Sequence, residues 1–189
     1  MSDGMARAWQ EYQSAADAAN AVTSPLTRSA TFLTIMAMGL EDMAGSDHDQ
    51  VLRGFCGLVV FGRSVTFAMQ NFRSSDEEAF DTWYEPWRAE LTADPLCHYF
   101  AKLRNEILKG VTPTISVVLA SMGERVAPPG TVTLDGRDPP TTHLGETIAD
   151  VSVLNLSRLY FAYLSRMHES FAPLVFEVFD RIYPLPPSA

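Results

Sequence analysis

Between Val51 and Phe72 the apolar side chains Val51, Leu52, Phe55, Leu58, Val59, Val65, Met69 and Phe72 return every three or four positions. That period fits a helix with one buried stripe, not a strand, whose alternate residues would face the core. A stripe this continuous must be covered by other helices, so the chain is constrained towards a helical bundle. Ser46-Asp47 supplies a cap for the helix start. Gly54, Gly57 and Gly62 lie inside it, and each costs roughly 1 kcal/mol against Ala in a helix interior. Close approach of a neighbouring helix is the expected compensation.

The flanking segments carry the same signature. Residues 5–21 are rich in Ala, Gln and Glu, with Trp9, Tyr12, Ala16 and Ala19 at helical spacing. Ser24-Pro25 predicts the start of a second helix, since Ser caps and Pro suits the first helical position. That helix is expected to stop near Gly45. Asp76-Glu77-Glu78 predicts another N-terminus, where acidic side chains oppose the positive end of the helix dipole. The following helix carries Phe80, Trp83, Tyr84 and Trp87, and Pro86 is expected to kink or interrupt it. Aromatics at this spacing could stack nucleobases, but they more commonly form core.

Asp94-Pro95 opens the next helix, with Leu96, Tyr99, Phe100, Leu103 and Ile107 on one face and Lys109-Gly110 at its end. After it the composition changes. Thr114–Ala120 is β-branched, Thr131–Leu134 is a second strand candidate, and Pro128-Pro129-Gly130, Asp135-Gly136 and Pro139-Pro140 break the chain around them. Residues 112–142 therefore read as an irregular β-hairpin or lid-like insertion. Helix is expected again from about Glu146, with Ile148, Val151, Leu154 and Leu159 inward, an interruption at Pro173, and an end at Pro184. The expected fold is mainly α: an up-down bundle of about five or six helices in one domain, 1–189, with that small β insertion.

Fourteen basic residues against 23 acidic ones give a formal charge of −9, which disfavours broad counterion-driven binding to RNA or DNA. The two cysteines, Cys56 and Cys97, make no disulfide framework. The start lacks the pattern of a signal peptide, and the longest apolar run, Phe55–Phe61, is short for a bilayer. A cytoplasmic protein with no membrane contact is expected. His48, His98, His143 and His168 are scattered, so no metal and no other cofactor is expected. Cys97 and His98 are neighbours, and neighbours on a helix point about 100° apart, so a buried Cys beside a surface or interface His is expected in place of a nucleophile–base pair.

One segment stands apart. In Asp94–Lys109 an Arg-Asn pair, Arg104-Asn105, lies near the end of an amphipathic helix, with Arg104 beside the apolar stripe. A guanidinium at such an edge needs a carboxylate or carbonyl partner. This segment resembles the HEPN superfamily of helical bundles, whose signature is Arg-Asn, three variable residues and His. The segments Gly62–Gln70 and Phe80–Glu85 are similar to a bacterial group within it, so the resemblance covers roughly residues 46–110.

The resemblance implies a dimer built on the helices that carry the motif. In the active members it implies metal-independent RNA cleavage, with His moving a proton and Arg steadying the phosphate. Here Arg104 and Asn105 match, and Lys109 stands where His is expected. An unperturbed Lys holds phosphate but is a poor base at neutral pH.

The leading expectation is a noncatalytic HEPN-like interaction or binding module, linked by resemblance to toxin–antitoxin or defence systems. Its candidate binding residues are Arg63, Arg104, Asn105 and Lys109, the last three doubling as the catalytic candidates. For Arg63 the first expectation is a plain inter-helix ion pair; the alternative is one polar cluster with Arg104 and a carboxylate such as Asp94 or Glu106. Expected partners are a second copy and another protein, with RNA disfavoured by charge. A ribonuclease with a non-standard proton-transfer residue and a structural or assembly protein are the alternatives.

Overall fold

The computed structural model describes residues 3–45, 47–111, 115–117, 132–134 and 138–184. The helices are α1 (Asp3–Met43), α2 (His48–Gln70), α3 (Glu77–Ala93), α4 (Pro95–Leu108) and α5 (Val153–Ile182), with a 3₁₀ turn, Asn71–Ser74, after α2. Strands β1 (Ile115–Val117) and β2 (Val132–Leu134) pair antiparallel, as do β3 (Thr142–His143) and β4 (Glu146–Thr147). The fold is thus the expected mainly helical bundle with small hairpins. The rest of the 112–142 insertion, with its Pro- and Gly-rich stretches, lies largely outside the described residues.

Side-chain oxygens start four of the helices. Asp47 accepts from the Gln50 amide (2.7 Å), Asp76 from Ala79 (2.9 Å), Asp94 from Cys97 (3.0 Å) and Ser152 from Asn155 (3.3 Å). Each satisfies an amide that has no partner within its helix. At the end of α4, Lys109 is the cap residue and Gly110 takes φ +81°, as expected of the Lys-Gly pair.

Four boundaries differ from expectation, three of them at prolines. α1 runs unbroken through Pro25, α3 through Pro86 and α5 through Pro173. A proline frees the carbonyl four residues earlier. Those carbonyls belong to Ala21, Thr82 and Glu169, all exposed residues, so the loss falls on the solvent side of each helix, where a freed carbonyl costs least. The last helix begins at Val153 rather than near Glu146, because Leu144-Gly145 turns the chain into β4. Val151 precedes that helix and is exposed, not inward.

The core is one cluster in which Val51, Phe55, Leu58, Val65 and Met69 of α2 meet Met36 and Met43 of α1 and Leu164, Met167 and Phe171 of α5. Gly54 permits the α1–α2 contact: a methyl group there would lie 2.5 Å from the Gly39 carbonyl oxygen. At Gly62 it would lie 2.5 Å from the Tyr160 ring. Gly57 faces open space, so close packing explains only two of the three glycines. By length and mean hydropathy His48–Ser74 passes as a membrane span although its continuous apolar run is short; half of that window is buried in the bundle.

The aromatics of α3 are core, as their spacing implied. Phe80 is buried, the Trp83 ring packs 4.9 Å from Phe171, and Trp87 meets Tyr163 edge-on at 5.7 Å. On α4, Phe100 stacks on Tyr160 of α5 at 4.4 Å. These contacts fix α3 and α4 against α5 and so position the arginines described next.

Candidate functional site

Arg63 of α2 and Arg104 of α4 line one small cavity of about 60 Å³ together with Thr66, Cys97, Phe100 and Tyr160. The structure therefore places these two arginines on one cavity. The carboxylate half of the expected cluster is different. Among the described residues neither guanidinium has a carboxylate at ion-pair distance.

Arg63 donates a long hydrogen bond to the Thr66 hydroxyl (3.5 Å) and lies 4.4 Å above the Phe67 ring. Arg104 donates from Nη1 to the Asn105 side-chain oxygen at 3.4 Å, while its Nε is buried with no hydrogen-bond partner. A buried donor left unmade costs about 1–3 kcal/mol, and more when charged. The cavity is large enough for a water or a small ion.

Asp94 is occupied elsewhere. Its carboxylate, 5% exposed, caps α4 at Cys97 and accepts from the Leu144 amide (2.7 Å) and from His143 Nδ1 (3.1 Å). Burial alone pushes its pKa up, but the amides of Leu144 and Cys97, together with His143, outweigh it and hold the carboxyl below its ordinary value. Asp94 is a structural knot between α4 and the β3–β4 turn. Glu106 is not among the cavity residues either.

Lys109 and Asn105 are exposed and line neither this cavity nor the cleft beside it. The position that would carry a catalytic His is thus an exposed ammonium at a helix end. The two ionisable hydroxyl and thiol groups of the cavity are poor bases as well. Burial pushes the Tyr160 hydroxyl well above its ordinary range, with Cys97 adding to the rise and Arg63 and Arg104 pulling against it. Burial, then the Asp94 charge, raises the Cys97 thiol in the same way. His98 is exposed while its neighbour Cys97 is buried, which separates that pair as helical geometry requires.

Arg63 and Leu91 also line a larger cleft between α2 and α3, about 850 Å³ in volume. Its other charged groups are paired: Arg73 with Glu77 (2.7 Å) and Asp81 (2.8 Å), Arg88 with Glu85 (2.8 Å). Gln70 donates to the Tyr84 hydroxyl at 2.7 Å. Sequence reasoning passed over this cleft. The available signal was Glu77 and Asp81, which at i and i+4 share a face of α3 and together receive Arg73 from the preceding turn. Among the described residues no group of three His, Cys, Asp or Glu side chains is placed to hold a metal, and His48 meets the exposed Asp49 at 3.3 Å.

Arg63 and Arg104 thus form a pair of fixed positive charges with neutral walls: an arrangement suited to an oxyanion. Among the described residues neither a histidine nor a carboxylate lines the 60 Å³ cavity to move a proton. No curated protein and no solved structure matches the chain. A family model described as bacteriophage lambda protein ea47 matches residues 56–128, which is 73 of the 189 residues and includes Arg63, Arg104, Asn105 and Lys109.

Proposed function

We propose that the chain is a noncatalytic, HEPN-like binding module that takes an oxyanion, such as a phosphate group, between Arg63 and Arg104. The observation that carries this reading is the Arg63–Arg104 cavity itself, which two arginines line with no carboxylate among the described residues, and one of them keeps a buried Nε unbonded. Oxyanions take charge-assisted hydrogen bonds from guanidinium, often in bidentate pairs. Cleavage would further need a group that exchanges a proton near neutral pH. Among the described residues the proton-bearing groups of the cavity walls besides the arginines are the raised-pKa Tyr160 and Cys97, and Lys109 stands away from them.

The similarity of residues 56–128 to a family named for a bacteriophage lambda protein supports a phage-linked setting for such a module. The defence association implied by the HEPN resemblance agrees with it. Incubation of the full chain with RNA in EDTA, across pH 5–9, tests the noncatalytic part. No cleavage beyond buffer alone is expected. Cleavage by the wild type that disappears in Arg104→Ala would overturn the reading and restore the ribonuclease alternative.

A further inference from the structure

The first half of α1 is a helical arm that the described residues leave uncovered. No residue described between Met5 and Ala21 is buried, and the first buried side chain of α1 is Val22. With 41 residues α1 is about 60 Å long, so roughly its first 25 Å stands clear of the bundle. Three large apolar side chains lie on this arm, Met5 (60% exposed), Trp9 (56%) and Tyr12 (66%), with the Trp9 and Tyr12 rings 5.7 Å apart.

These residues follow a seam. Met5, Trp9, Tyr12, Ala16 and Ala19 are spaced by four, three, four and three, the alternation of a coiled-coil stripe. At about 100° per residue this stripe is rotated roughly a third of a turn from Val22, Ser29, Met36 and Met43, which α1 lays on its own core. The chain's own bundle therefore does not cover it by simple extension. The charged residues Arg7, Glu11 and Asp17 all fall on the far side from the seam. Past Ala19 the same direction is taken by Thr23 and Thr27, so the apolar stripe ends where the bundle begins.

We propose that the chain dimerises through this arm, two copies packing α1 antiparallel. The seam is complementary to itself in that direction only. Its large side chains sit towards the N-terminus and its small ones towards the bundle. Antiparallel pairing sets Trp9 against Ala19 of the second copy and Tyr12 against Ala16, one large and one small residue in each layer. A parallel pair would set Trp9 on Trp9 and leave Ala16 facing Ala16, a crowded layer beside an empty one. A two-fold contact repeats both layers and closes the assembly at two copies. Four rings of about 150–250 Å² each, little more than half of it exposed, bury less than the 1,200–2,000 Å² of a standard stable interface. The dimer is therefore concentration-dependent.

Sedimentation of the full chain up to roughly 100 μM tests this. The wild type is expected to shift from monomer to dimer across that range. Trp9→Glu is expected to move the shift at least tenfold higher in concentration, with the melting temperature unchanged. Leu108→Glu, at an exposed site near the end of α4, leaves the shift in place. Mixing Tyr12→Cys with Ala16→Cys chains under mild oxidation is expected to give several-fold more covalent dimer than either variant alone, measured over the background of Cys56 and Cys97. A wild type monomeric throughout, or a dimer lost in Leu108→Glu and kept in Trp9→Glu, would overturn the proposal. Tyr12→Cys cross-linking alone as well as in the mixture would overturn the antiparallel register.

Discussion

At the scale of single residues, the glycines of α2 show how one helical pattern hides different environments. Gly54 and Gly57 are alike in the sequence, yet a methyl group at Gly54 meets the Gly39 carbonyl and the Asp42 side chain, while at Gly57 it meets nothing within 4 Å. Gly54→Ala is therefore expected to cost about 1–3 kcal/mol, because overlap with backbone outweighs the gain in helix propensity. Gly57→Ala gains that propensity without a clash and is expected to stabilise by up to about 1 kcal/mol. Thermal or urea unfolding of the two variants reads both signs. The sequence showed that all three glycines needed a reason. It did not show which of them had a neighbour, since that depends on where α1 crosses α2. The prolines carry the same lesson: whether Pro25 starts a helix or lies within one depends on whether Ala21 faces water, which a local reading does not contain.

At the scale of elements, the join between α4 and the β3–β4 hairpin rests on Asp94. Both residues of the turn, Leu144 (φ +50°) and Gly145 (φ +82°), have positive φ, the geometry of the tight hairpin turns. Leu in that region costs roughly 1–2 kcal/mol, and the Asp94 carboxylate holds it there through the Leu144 amide. Asp94→Ala removes the cap of α4 and this tie together and is expected to cost about 2–4 kcal/mol. The pH dependence has a definite sign. The folded pKa of Asp94 is lowered, so its contribution is fully present above its ordinary value of 3.8 and is lost as pH falls through the folded pKa. Unfolding free energies measured from pH 5 down to pH 2 should fall more steeply in the wild type than in Asp94→Asn. The cap was legible from Asp94-Pro95. Its bonds to His143 and Leu144 were not, because they span about 50 residues and cross the insertion.

At the scale of the whole molecule, the helical class followed from the periodicity of α2 and its neighbours, and the bundle has that architecture. That Arg63 and Arg104 share a cavity was only the second reading of their places beside apolar stripes, behind a plain ion pair for Arg63. Among the described residues no carboxylate joins them, since Asp94 is drawn into the α4 cap. A formal charge of −9 makes the two guanidiniums a local exception on an acidic chain. Their electrostatic attraction for an anion is consequently local, and most effective inside the cavity, where screening by salt is weakest. The proposed function depends on this exception more than on any other feature.

Calorimetric titration of the full chain with inorganic phosphate at low ionic strength tests it most directly, run beside Arg63→Gln and Arg104→Gln. The account predicts saturable binding by the wild type and at least a tenfold loss of affinity in each variant, with the fold retained. No binding by the wild type, or equal binding by all three proteins, would contradict it.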